Sequence, residues 1–579
     1  MKKLIIASAA VLMGTAAYAQ SAIDGYRLSQ QDLKGTARYM SMAGAFGALG
    51  GDLSTLSHNP GGIGVYRNSE VGLTLDLDLQ HAESTAGNLT NGINQTKFLL
   101  NNIGFVWTMK LPSSSCPNFN IGFTYNKNAS FNRRYRGAIN LTNSLSNYAA
   151  GQATKYGYST EQLLGGGVIG PNPYMPQDGY GADWLSILGY DGYMFASQPV
   201  NGAPNYVGQW DNWTDMSGQS YQTSGLGLFD VRESGGIDSY NIALGGNIAN
   251  VLFWGMDFDI THINYTLTPD WTEVLQNAGV GMDDNEIYLM PSNWKLSNFY
   301  NCSGTGFNYK LGFIFKPVQE FRLGFAFETP TWYGLNESFD AALYGLYGDY
   351  PTVDVYTNDG MMGTNQVNFR TPWKINASAA AVLFNRLIVS AEYEWTQFKG
   401  MRYSTPDYWN SGYWYDDYYP GYGPYDNGYF GGFDYDQYVT DPTILAANSN
   451  IQNYYVNTNT LRLGAEFRLT PQFSVRAGYS YVSAPMKDEM NRSVVETVGT
   501  IPNYRVDSST NYVTCGLGYK IQKFYIDLAY VYKHFNSTYH AFSPWFPDDY
   551  TPGHSAIPSQ TSSLSLNNSQ IVLSAGFKF

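Results

Sequence analysis

Six histidines, His58, His81, His262, His534, His540 and His554, are the side chains best suited to move a proton or hold a metal, and none stands at a metal-ligand spacing from another. No Gly-x-Ser-x-Gly nucleophile elbow is present. The aspartates Asp416, Asp417, Asp426, Asp434 and Asp436 crowd a Tyr- and Trp-rich stretch from Tyr403 to Tyr438, without the fixed spacing of a calcium loop. Cys116, Cys302 and Cys515 are too few and too scattered for a disulfide framework. The expectation is a chain that is not an enzyme, with no catalytic residues, no metal and no cofactor.

The charges that do fall into a pattern sit on strands. Asp76, Asp78, Asp257, Asp259, Lys310, Glu392, Glu394, Arg462 and Glu466 each lie opposite an apolar face in a segment of period-two alternation. The first such segment is the clearest: Val71, Leu73, Leu75, Leu77 and Leu79 alternate with Gly72, Thr74, Asp76, Asp78 and Gln80. Comparable stretches recur from Ile103 to Met109, from Phe119 to Tyr125 and onward to Ile571–Phe579, fourteen in all. The links after even-numbered segments are short, such as Ala249-Asn250 and Gln522-Lys523, and those after odd-numbered ones are long. Alternating short turns and long loops, with an even strand number, describe an all-β, 14-stranded antiparallel transmembrane barrel with periplasmic turns and extracellular loops. Mixed acids and bases on the inward faces suit ion pairing that fixes a plug at least as well as an open ion channel.

Composition agrees with an outer-membrane location. The chain holds 49 Tyr, 31 Phe and 13 Trp with only 14% charged residues, as aromatic belts at two bilayer interfaces require. A net charge of -14 argues against a nucleic-acid partner. Lys2 and Lys3, the apolar run from Leu4 to Met13 and Ala17-Tyr18-Ala19 form an export signal, placing a signal peptide at 1–19, a hatch at 20–68 and a barrel at 69–579. The partner implied by such a barrel is the outer-membrane lipid bilayer of a Gram-negative bacterium.

The run GTARYMSMAGAFGALGGDLSTLSHNPGGIGVY, from Gly35 to Tyr66, is small, apolar and Gly-rich and ends in the chain reversal Asn59-Pro60-Gly61-Gly62. It resembles the N-terminal hatch of the FadL/TodX family of outer-membrane hydrophobic-compound transporters, whose signature continues Asn-Pro with Ala where this chain has Gly61. A final Phe579 resembles the terminal aromatic signal of outer-membrane proteins. The resemblance implies passive passage of hydrophobic small molecules, long-chain fatty acids first and aromatic hydrocarbons second, through a plugged barrel with lateral release. It implies a kinked third strand around Asn126, Lys127 and Asn128, and an outer capture groove to which Trp271, Val274 and Leu275 are assigned, on a helix starting at Thr268-Pro269-Asp270. After Lys127 the lipid-facing register is expected to resume at Ala129 and Phe131.

Apolar inward positions Val106, Phe253, Ile314, Val382 and Ile388 could join Phe46 and Leu49 of the hatch in a ligand pocket, or could pack plug against wall. Large insertions stand at about 137–236, 268–303, 331–365, 399–456 and 535–568, the first with helical patches at Ser146–Thr154 and Ser159–Leu164. The alternative to transport is a docking or accessory barrel of an outer-membrane secretion or assembly complex, binding a protein or glycan partner through its aromatic surface loops.

Overall fold

The structure, a computed structural model, describes residues 21–113, 115–164, 172–174, 181–215, 217–281, 286–405, 442–497, 499–547 and 555–579. The export signal and most of the Tyr403–Tyr438 stretch lie outside these residues.

Fourteen antiparallel strands close into one barrel. They begin with β1 (Glu70–Ala86), β2 (Leu89–Lys110), β3 (Asn118–Ser130, resuming as Arg133–Asn140), β4 (Ser224–Ile248), β5 (Leu252–Gly281), β6 (Ile287–Phe315) and β7 (Phe321–Glu328, resuming as Trp332–Tyr347). The other half comprises β8 (Gly363–Arg370, resuming as Lys374–Leu383), β9 (Leu387–Thr396, resuming as Arg402–Ser404), β10 (Thr458–Arg468), β11 (Phe473–Val482), β12 (Tyr504–Ile521), β13 (Phe524–His540) and β14 (Thr561–Lys578). β14 seals the cylinder against β1, in register from Glu70↔Lys578 to Thr85↔Ser563. Each alternating segment of the sequence lies on one strand. The tight turns have a local cause: Ala249 and Asn250, like Phe384 and Asn385, hold positive φ at consecutive positions (51° and 58°, 52° and 57°), the twist that joins antiparallel neighbours in two-residue hairpins.

The outer strands rise far beyond a bilayer. β5 has 30 residues; at about 3.3 Å each and a tilt of about 40° it climbs roughly 75 Å, against an apolar band about 25 Å tall. Where β5 and β6 leave the membrane, their amphipathicity inverts. On β6, the outward residues Phe315, Phe313, Leu311, Tyr309 and Phe307 give way to Thr305, Ser303 and Asn301, while the inward ones change from Lys310 and Asn308 to Cys302, Tyr300, Leu296 and Trp294. Lipid requires an apolar exterior below that boundary, and water requires an apolar interior above it. The outer half of the barrel therefore encloses an aromatic core of its own, shared with two helices of the long β3–β4 connection, Leu145–Tyr156 and Trp184–Asp191.

This inversion corrects one expectation. The residues after Thr268 form no helix but continue β5, with Trp271 and Leu275 buried on the inward face and Val274 on the outward face. The capture groove assigned to these three residues is thereby split between two sides of a sheet. The patches near Ser146 and Ser159 are helical, spanning Leu145–Tyr156 and Thr160–Leu164.

The chain before β1 fills the lumen with three short helices, α1 (Ala22–Leu28), α2 (Ala37–Ser41) and α3 (Thr55–His58), and a 3-10 turn at Pro60–Val65. α1 stands highest. Its start is held in the outer core by Tyr403 and Tyr455, whose hydroxyls donate to the carbonyls of Ser21 (3.2 Å) and Ala22 (2.9 Å).

Candidate functional site

Asn59 organises the hatch. Its carboxamide oxygen accepts from Gly61 N (3.0 Å) and its nitrogen donates to Gly47 O (2.5 Å) and to the wall carbonyl of Phe313 (3.3 Å), so one side chain ties two hatch segments to β6. Pro60 begins the following turn, where its missing N–H costs nothing. Gly61 backs directly onto the wall: a methyl there would meet Phe313 N at 2.8 Å. The Asn-Pro-Gly departure from Asn-Pro-Ala thus coincides with contact between two backbones.

The wall is shaped for that contact. Gly255, Gly312, Gly324, Gly478 and Gly516 face inward on five strands, and a Cβ on any of them would come closer than 3.0 Å to hatch residues Pro60, Asn59, Gly47, Met42 and Ser41 respectively. Cross-strand pairs such as Gly72↔Gly104, Gly245↔Gly255, Gly255↔Gly312 and Gly464↔Gly478 place these positions in a belt. The recurrence of Gly at inward positions of successive strands was visible in the sequence; its meaning depends on register, which the sequence does not state.

Charged side chains pin the hatch to the wall around that belt. Lys34 reaches Asp76 (2.5 Å) and Gln570 (2.9 Å), Arg38 reaches Glu466 (2.9 Å), and Arg322 donates to Leu49 O (2.7 Å). Asp32 pairs with Lys533 at 2.6 Å; burial works to raise its carboxyl pKa, but Lys533 and Arg133 outweigh it and hold the group at about 2. His58 Nε2 lies 2.7 Å from Glu392, which also accepts from Gly47 N. His58, Glu392 and Glu394 bring three possible metal ligands together, yet the Arg462 guanidinium already bridges the two carboxylates at 2.7 and 3.1 Å and supplies the countercharge. The arrangement suits a latch better than a metal centre.

The apolar candidates divide between two clusters. Phe46, Leu49, Ile388 and Val382 pack with Tyr39, Tyr512 and Val531 on one side of the hatch. Val106 packs with Leu53, Leu56 and Ile63 on the other, while Phe253 and Ile314 are buried on the wall. Phe46 is fully buried with the Arg38 guanidinium 5.3 Å from its ring centroid. This is plug-to-wall packing.

Above the hatch lies a cavity of about 140 Å³, lined among others by Lys34, Lys310, Lys374, Arg462 and the sequence candidates Asn126, Lys127 and Asn128. There the wall parts. β2 and β3 pair from Lys110↔Asn118 only as far as Asn102↔Asn126. Each strand carries an extra residue at that height: β2 slips against β1 at Asn101, and β3 slips against β4 at Asn128. A bulge shifts every later side chain to the other face. Ala129 and Phe131 accordingly turn inward and are fully buried, correcting the expectation that they face lipid. Lys127 remains on the outward register and pairs with Asp238 at 2.8 Å. The bulge is tied to the hatch, since Asp32 N donates to Asn128 O (2.8 Å) and the Asp32 carboxylate accepts from Ser130 N (3.1 Å). Above Asn102, β2 keeps β1 as a partner and loses β3.

Residues 255–541 match the family described as outer membrane protein transport protein (OMPP1/FadL/TodX). Among solved structures, the chain is similar to a Pseudomonas aeruginosa FadL homologue (12% identity, 95% of this chain and 99% of that one, TM-score 0.49). It is similar also to the P. putida toluene transporter TodX (11%, 95% and 99%, TM-score 0.46) and the Ralstonia pickettii toluene transporter TbuX (12%, 95% and 99%, TM-score 0.43). No curated protein matches.

Proposed function

We propose that the chain, a fourteen-stranded barrel whose residues 255–541 match the OMPP1/FadL/TodX family, takes up hydrophobic small molecules passively and releases them sideways between β2 and β3. The observation that carries this reading is the parting of those two strands at Asn102↔Asn126, beside the luminal cavity and directly above a hatch seated backbone to backbone on the wall. The hatch is seated on the wall of the lumen, whereas above Asn102 the edge of β2 has no ladder partner in β3. Long-chain fatty acids rank first as substrate by the resemblance to the family and not by charge, for the cations around the cavity are already paired: Lys34 with Asp76, Lys310 with Asp259, Lys374 with Glu328, and Arg462 with Glu392 and Glu394. Aromatic hydrocarbons rank second. At about 140 Å³ the cavity is smaller than the roughly 300–1,000 Å³ of a ligand site, so passage requires the hatch or α1 to move.

Deleting Asn128 tests the route. With the extra residue gone, Lys127↔Asp238 and Ala129↔Ile237 become consecutive pairs and β3 is free to continue along β2. Uptake of a fluorescent long-chain fatty acid into cells or proteoliposomes should fall at least about tenfold while the barrel still folds. Undiminished uptake by the folded deletion protein would reject lateral release. A protein partner co-purifying in stoichiometric amount, with no lipid-like ligand, would favour the docking alternative.

A further inference from the structure

A second and larger cavity, of about 580 Å³, lies on the periplasmic side, between Arg38 and Asp52 of the hatch and the turns at Asn385 and Pro471. Strand register turns its charged residues toward the bore. On β10, Glu466 pairs with Ile388 of β9 and with Arg476 of β11, both of them buried inward residues. Arg386 and Arg468, two positions nearer the turns, therefore face inward as well, and Arg468 N donates to Arg386 O (2.9 Å). Lys520 enters the cavity from the foot of β12, where its backbone N–H donates to Gln472 O (2.9 Å).

The cavity is basic on a chain whose net charge is -14: six bases line it against four acids. Each of those acids is already engaged. Glu466 holds Arg38 and Arg476 (2.9 Å each), Asp527 holds Arg476 (2.6 Å), and Glu70 holds Lys578 (3.0 Å). Asp52 accepts from the Thr36 hydroxyl (2.7 Å) and Ser54 N (3.0 Å). Arg468 lies 3.8 Å from the doubly bound Glu466, and among the described residues no acid of the cavity pairs with Arg386 or Lys520. Like charges side by side on antiparallel neighbours are unfavourable, and Arg386 and Arg468 stand so. All three side chains are exposed.

We propose that Arg386, Arg468 and Lys520 bind a small polycarboxylate that enters from the periplasm. A guanidinium takes a carboxylate through a fork of two hydrogen bonds and is always charged. β9 and β12 are three strand spacings apart, about 14 Å along the wall, so two acidic groups joined by a short chain match the arginine pair and Lys520 better than one. The volume of about 580 Å³ falls within the roughly 300–1,000 Å³ of small-molecule sites. Headgroups of the inner leaflet do not supply the anion, because these side chains face the bore and not the lipid. Arg38 belongs to the hatch and lines the same cavity, so the occupant spans hatch and wall and favours the seated hatch over a displaced one. The site is independent of the uptake route, since none of its three bases belongs to β2 or β3.

The test uses the full chain purified in detergent and titration calorimetry with three probes: citrate, inorganic phosphate and a tetraglutamate peptide. The wild-type protein should bind citrate at least about tenfold more tightly than phosphate, and binding should weaken as salt rises. The Arg386→Gln/Lys520→Gln protein, checked as folded by its heat-dependent gel mobility, should lose at least about tenfold in citrate affinity. Hydrogen exchange of residues 34–52 should slow when citrate is added to the wild type and stay unchanged in the double variant. Phosphate binding as tightly as citrate would overturn the match to two acidic groups. Tetraglutamate binding at least about tenfold more tightly than citrate would move the source to an acidic segment of a periplasmic protein and overturn the solute assignment. No citrate binding by the wild type, or equal binding by wild type and double variant, would overturn the site itself. Citrate binding without slower exchange would overturn its hold on the hatch.

Discussion

Gly255→Ala is the smallest change that challenges the seat of the hatch. The added methyl points inward from β5 and comes closer than 3.0 Å to the Pro60 carbonyl, where real Cβ atoms are essentially never found. Both sides of the contact are backbone, so no side chain can swing aside. Overpacking of this kind costs about 1–3 kcal/mol. The outward face of the barrel is unaltered, so the cost falls on the seated hatch, and the population with the hatch displaced should rise roughly 5- to 150-fold. Single-channel recording in planar bilayers reads that population as time spent conducting, and efflux of a small hydrophilic solute from proteoliposomes reads it in bulk. Gly334→Ala is the control, because its methyl would find nothing nearer than Asn368 Oδ1 at 4.0 Å. If Gly255→Ala conducts no more than the wild type and Gly334→Ala do, close backbone packing is not what seats the hatch, and the ion pairs around Lys34, Arg38 and Asp32 must suffice alone.

Three further outcomes are expected. Glu273, on the part of β5 outside the bilayer, is buried, which raises its carboxyl to about 7 although Leu145 N (2.8 Å), the Ser144 hydroxyl and Trp271 Nε1 all donate to it. A raised acid favours the fold in its neutral form, so the hold on helix Leu145–Tyr156 should be complete below about pH 4.5 and weaken as pH rises through 7, by about 3 kcal/mol at most; hydrogen exchange of that helix should quicken from pH 5 to pH 8, and Glu273→Gln should flatten the dependence. A cysteine at Pro547 should label in intact cells with a membrane-impermeant thiol reagent, and one at Gln522, in the β12–β13 turn, should not; the opposite pattern would invert the topology. Removing residues 21–28, which form α1 and its cap, should speed fatty-acid uptake without raising leakage of hydrophilic solutes, and slower uptake would show that α1 helps to bind the ligand instead of obstructing it.

Strand number, direction and closure were legible in the sequence because lipid imposes one rule on the outward face, and Val71 to Leu79 or Phe307 to Phe315 obey it without exception. The hatch was legible from Gly35 to Tyr66 for a different reason: its small-residue run and Asn-Pro turn resemble the hatch of the FadL/TodX family. What misled the reading at Thr268-Pro269-Asp270 was a local helix-start signal set in a strand whose apolar face had changed sides. Followed past Ile260, the inward positions Ile263, Tyr265, Leu267 and Trp271 continue a period of two, so the extension was written there in inverted phase. The bulges at Asn101 and Asn128 were less accessible, since an extra residue reveals itself only against a partner's register. The ring of glycines was hidden in the same way, each one unremarkable until its neighbours were known.

The inward face thus changes character with height, and the change confines where a ligand can go. At the level of Gly255 and Gly312 much of the wall is glycine, and the hatch backbone occupies the bore in direct contact with it. Above the membrane boundary, Tyr265, Trp294 and Tyr300 close it again around α1. Between the two seals the lining is charged, with Lys34, Asp76, Lys310 and Asp259 buried and paired, an environment that an acyl chain would not enter for its own sake. Along β2 the wall is incomplete at that height, where backbone N–H and C=O groups above Asn102 have lost β3 as a partner. Such an edge facing hydrocarbon is costly. It is tolerable where polar groups such as Asn101, Asn102 and Asn126 cluster beside it, and that clustering is what would let a carboxylate head cross while its chain slips directly into the bilayer.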